Sequence, residues 1–87
     1  GNFTKEDRSM IMPKMYLYRP GKSDRVWIQN QMLHIPKDKQ QAVADEYERL
    51  FRNKSLHMWA NRKAANNYLL NVSREYRQEA YVQKNQS

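Results

Sequence analysis

The sequence predicts an all-α fold, a small three-helix bundle with helices near residues 24–34, 36–53 and 57–81 and an extended N-terminal segment, residues 10–20, packed across it. Three observations carry this prediction. Val43, Tyr47, Leu50 and Phe51 recur at i, i+4, i+7 and i+8, the spacing of one helical face. Ile35-Pro36 and Asn53-Lys54-Ser55 interrupt the apolar pattern with breaking or capping residues. A chain of 87 residues is also too short to bury two cores, so these helices must share one. Within it, residues 1–9 read as a flexible arm, 10–82 as a single helical domain and 83–87 as a frayed tail.

Residues 1–9 are polar and without period. Apolar density rises from Met10 to Tyr18, but Pro13 prevents a continuous helix. An extended piece that packs Met15, Tyr16, Leu17 or Tyr18 onto the helices is the reading, with a short edge strand as the alternative. Arg19-Pro20-Gly21-Lys22-Ser23-Asp24 is a turn: Pro presets φ, Gly permits the positive φ that follows, and Ser23 or Asp24 caps the next element. A phosphate-binding loop is disfavoured there, because such a cradle needs several glycines or a strand-to-helix context.

Val26-Trp27-Ile28 and Met32-Leu33 recur at near-helical spacing, although residues 25–29 also fit a strand. Pro36 suits the first turn of the second helix, and Asp38 lies near the positive end of its dipole. The third helix begins at a Ser55 cap or, after an irregular link, at an Asn61 cap. The predicted core is Trp27, Ile28, Leu33, Val43, Tyr47, Leu50, Phe51, Leu69, Val72 and Tyr76. A helix-turn-helix crossing of the second and third helices is one of several they can adopt.

On a wheel at roughly 100° per residue, Met58, Ala65, Leu69, Val72 and Tyr76 of the third helix share a sector of about 60°. The opposite side gathers Lys63, Asn66, Asn67, Arg74 and Arg77, together with Trp59, Leu70 and Tyr81. Such a face is either a solvated rim with Trp59 and Leu70 covered by the N-terminal segment, or a surface where cations hold phosphates, amides position bases and an aromatic stacks.

Net charge is +7 and the pI about 9.9, which favours polyanionic partners over small neutral ligands. The excess is uneven. Residues 1–35 hold six Lys and Arg against three Asp and Glu, residues 36–53 four against four, and residues 54–87 six against two. Anion binding therefore belongs to the first and last segments. There is no cysteine, which removes disulfides and thiolate metal sites. His34 and His57 lack metal-ligand spacing. No nucleophile elbow or paired-histidine motif is present, so neither catalysis nor a cofactor, metal or small-molecule substrate is expected. No apolar run approaches the roughly 20 residues that span a bilayer, and no signal-type stretch opens the sequence, so the expectation is a soluble, cytoplasmic protein with no membrane partner.

Ile35-Pro36 followed by Tyr47-Glu48-Arg49-Leu50-Phe51-Arg52-Asn53-Lys54-Ser55 resembles a helical segment near the N-terminus of the rolling-circle replication endonucleases of temperate tailed phages. The paired-histidine metal site and tyrosine nucleophiles of that family have no counterpart here, so no catalytic residue is carried over. The resemblance implies a phage or mobile-element setting and a noncatalytic accessory role. Two functions follow from the residues. One is a nucleic-acid-binding module, DNA more than RNA, using Arg62, Lys63, Asn66, Asn67, Arg74 and Arg77 with Arg19, Lys22 and Arg25 from the turn. The other is a protein-interaction or homodimerisation module that docks through Trp59, Leu70 and Tyr81.

Overall fold

A computed structural model describes residues 10–86, and the arm at residues 1–9 lies outside them. The order of elements is a hairpin of β1 (Tyr18–Arg19) and β2 (Lys22–Ser23), then α1 (Arg25–Met32), α2 (Lys37–Phe51) and α3 (Met58–Gln86). The three-helix bundle is therefore present, with α3 packed extensively along α2 and less so against α1. α3 has 29 residues, about 43 Å at 1.5 Å per residue, and sets the 46 Å long axis of the molecule.

Several boundaries have a local cause. Tyr18 pairs with Ser23 and Arg19 with Lys22 in an antiparallel ladder. Pro20 and Gly21 form its turn, with Gly21 at φ +77°, the conformation a glycine takes there without strain. α1 follows directly and stops at Met32. Pro36 sits at the N-cap of α2 rather than inside its first turn, with φ −53°, close to the value its ring imposes. α3 starts at Met58, between the two predicted caps, and runs to Gln86 with helix formers and no breaker inside it, so its helical backbone includes most of the expected tail.

The core is Ile28, Met32, Ile35, Val43, Ala44, Tyr47, Ala65 and Leu69, with Leu17 also buried. Trp27, Leu50, Phe51, Val72 and Tyr76 pack against it half-buried. Leu33 departs from expectation at 62% exposed. Ile28, Met32 and Ile35 follow at i, i+4 and i+7, so Leu33 is turned roughly 140° away from Ile28. From the N-terminal segment Tyr16 and Leu17 pack inward with Met10, Ile11 and Met12, whereas Met15 and Tyr18 are exposed. Met58 too lies outside the core. The buried stripe of α3 is instead Asn61, Ala65, Leu69 and Ser73, an i, i+4 series with a polar residue at each end.

Two buried amides tie elements together. Gln40 Nε2 donates to the Ile35 carbonyl at 3.1 Å and the Met32 carbonyl at 3.4 Å, and its Oε1 accepts the Ile11 N–H at 3.1 Å. It fastens the end of α1 and the N-terminal segment to α2. Asn61 is no N-cap. Its Nδ2 donates to the Phe51 and Asn53 carbonyls at 3.0 and 2.7 Å, so a side chain of α3 satisfies acceptors that the end of α2 leaves open.

Candidate nucleic-acid interface

The hairpin and the first turn of α3 build one site. Arg19 and Lys22 are directly paired across the ladder, so both side chains leave the same face of the hairpin. That face meets Trp59. The Arg19 guanidinium lies 5.0 Å from the Trp59 ring centroid, the Lys22 ammonium 5.1 Å and the Arg62 guanidinium 5.4 Å. Each such contact on an exposed ring stabilises by about 0.5–1 kcal/mol. Trp59 remains 45% exposed. Like charges placed opposite one another on a ladder destabilise it, and the ring offsets only part of that repulsion.

Arg62 differs from its two neighbours. Its Nε donates to Asp24 Oδ2 at 2.7 Å and its second guanidinium nitrogen to Asp24 Oδ1 at 2.9 Å. Asn66 Nδ2 adds a 3.2 Å bond to the same carboxylate, and Asn66 Oδ1 accepts the hydroxyl of the fully buried Tyr47. Asp24 therefore joins the hairpin and α1 to α3, and Asn66 extends the join to α2. The Arg62 hydrogen bonds hold the Asp24 carboxyl below its ordinary 3.8, against the opposing effect of burial, with Asn66 and Lys22 assisting. Burial, reinforced by the negative charge of Asp24, pushes the Tyr47 phenol up, so it stays a neutral donor. Asp24 makes no side-chain cap on α1; Ser23 Oγ accepts the Arg25 N–H at 3.2 Å instead.

The residues expected to bind nucleic acid thus divide. Arg19 and Lys22 converge on Trp59. Arg62 and Asn66 are engaged by Asp24 and Tyr47 and serve as framework. Lys63, Asn67 and Arg25 are exposed. Arg74 and Arg77 line a separate open concavity with Gln78, Tyr81 and Val82, roughly 22–27 Å along the helix from Trp59 at 1.5 Å per residue. Trp59, Leu70 and Tyr81 do not form one patch. They follow a line along α3 with about 16 Å between successive members, and Leu70 is half-buried.

Apolar spacing does not mark Asp24 as a partner for Arg62, but composition does, since Asp24 is the one carboxylate in the strongly basic stretch from Arg19 to Arg25. Among the described residues, no three His, Asp or Glu side chains group as metal ligands. No described helix is long and apolar enough to cross a membrane. No protein-family model, curated protein or solved structure matches the chain.

Proposed function

We propose that the chain is a small, noncatalytic nucleic-acid-binding module whose principal contact is the Arg19, Lys22 and Trp59 cluster. The carrying observation is the placing of three cations within 5.4 Å of one half-exposed indole while, among the described residues, a carboxylate pairs with Arg62 alone of the three. Arg19 and Lys22 gain little from the ring and repel each other, so phosphates are better partners for them than the contacts they hold. Lys63 and Arg25 extend the positive surface. DNA as the polymer, and a phage or mobile-element setting, belong to the same proposal and rest on the resemblance of residues 35–55.

The test is binding to labelled duplex and single-stranded oligonucleotides at low salt, comparing Arg19→Ala/Lys22→Ala with Arg74→Ala/Arg77→Ala. The first pair should weaken binding to every sequence, and the second should have the smaller effect. Absence of binding at low salt would discard the proposal. A second reading, docking to a protein, is favoured by Tyr81 at 69% and Val82 at 50% exposed beside Arg74 and Arg77. Absence of nucleic-acid binding combined with concentration-dependent sedimentation that Tyr81→Ser abolishes would select it.

A further inference from the structure

We infer that Trp59 is a stacking platform for an unpaired base, which makes single-stranded nucleic acid the ligand of the cluster; this rests on the nucleic-acid reading above. Among the described residues, neither Arg19 nor Lys22 has a carboxylate within ion-pair distance. Both lie against the indole, the ring being 45% exposed in the first turn of α3. A core tryptophan is walled by packed apolar side chains. This one is flanked by Arg62, which Asp24 holds, and by the long cationic side chains of Arg19 and Lys22, which a phosphate can draw aside.

Contacts of a cation with an exposed ring are weak, and a base stacked on the same ring is held more strongly. A strand entering the site therefore exchanges two poor interactions for two better ones. The base takes the indole face, and the guanidinium and ammonium move to the phosphates on either side of it. The cluster sets one ring beside two cations, Arg19 and Lys22, as a strand sets each base beside its flanking phosphates. A duplex has its base faces already stacked and offers the ring no free face, so its phosphates are what the cations can hold. An acidic peptide or an anionic headgroup satisfies the cations and leaves the ring without a partner.

Asp24 fixes the platform. Its bidentate hold on Arg62 keeps that guanidinium beside Trp59 and anchors the start of α1 just after the hairpin, so the cations and the ring keep their relative placement. Arg62 is a positioning residue, while Arg19, Lys22 and Trp59 make the contacts.

Two readouts on the full chain test this with one oligothymidylate of about ten nucleotides, a length within the range such sites cover. Fluorescence anisotropy of the labelled strand reports binding, and tryptophan emission reports stacking. Trp27, half-buried against the core, is the internal reference. Wild type should bind with quenched emission. Trp59→Leu should lose the quenching and weaken single-strand binding by roughly tenfold, while blunt-duplex binding changes by less than about twofold. Trp59→Tyr should recover most of the affinity, which a variant that merely unfolds would not do. Single-strand binding with unchanged emission, and with Trp59→Leu equal to wild type, would overturn the stacking and leave the binding module standing. No anisotropy change on any oligonucleotide at low salt would overturn both.

Discussion

Asp24 is a polar junction between the start of α1 and α3. It accepts two charge-assisted bonds from Arg62 and one from Asn66, and its residue is 7% exposed. Hydrogen bonds to charged groups contribute about 1.5–3 kcal/mol. Arg62, with its side chain 26% exposed, recovers part of its hydration when the partner is lost. Asp24→Asn should therefore destabilise by about 2 kcal/mol at neutral pH, read from chemical denaturation. The pH dependence has a definite sign. Because folding lowers this carboxyl below 3.8, its contribution is complete above that value and is lost as pH falls through the folded pKa. Wild type and Asp24→Asn should converge in stability on acidification below about pH 4, and parallel curves would remove Asp24 from the account. Gly21 gives a second, smaller test. Nothing lies within 4 Å of an added Cβ, but φ is +77°. Gly21→Ala should cost about 1–2 kcal/mol through strain alone, with weakened binding where the hairpin presents Arg19 and Lys22.

At the scale of elements, α3 has two unlike halves. Its first half buries one stripe, Asn61, Ala65 and Leu69, and Asn61 lends its amide to the end of α2. Asn61→Ala leaves the Phe51 and Asn53 carbonyls without that donor and should lower stability by about 1–3 kcal/mol in thermal melting. Tyr76 is the last α3 residue packed against the core, and residues 77–84 are exposed. A chain ending at Gln78 should melt within a few degrees of wild type, since it loses no core contact, about 1 kcal/mol being worth 4–8 °C in a domain of this size.

The helices were legible because their signals are local. Pro36 and the Asn53-Lys54-Ser55 turn stand beside the boundaries they cause, and the turn at Pro20-Gly21 declares its own φ. Leu33 was misplaced since it adjoins Met32, and a short helix gives too few turns to fix the phase of its face. Asn61 and Ser73 could not be found by apolar spacing, although both belong to the buried stripe. Arg62 and Asn66 read as free binding groups because what engages them is remote in sequence. Asp24 is 38 residues from Arg62 and 42 from Asn66, and Tyr47 is 19 from Asn66. Only folding brings those charges together. The same is true of Arg19 and Lys22 meeting Trp59.

For the molecule as a whole, a single core closed by α3 stands beneath a basic hairpin. Leu69 is fully buried in that core. Leu69→Ala should cost about 2–5 kcal/mol, a large share of the stability of so small a domain, and unchanged denaturation would contradict the packing described. The proposed nucleic-acid contact lies where Arg19 and Lys22 share the Trp59 ring. The most direct test of that claim is the salt dependence of oligonucleotide affinity for wild type and Arg19→Ala/Lys22→Ala. Each phosphate contact contributes about 0.7–0.9 to the slope of log K against log salt. The double variant should bind more weakly at low salt, with a slope shallower by about 1.4–1.8. An unchanged slope and affinity, with the loss appearing instead in Arg74→Ala/Arg77→Ala, would contradict the account and move the contact to the far end of α3.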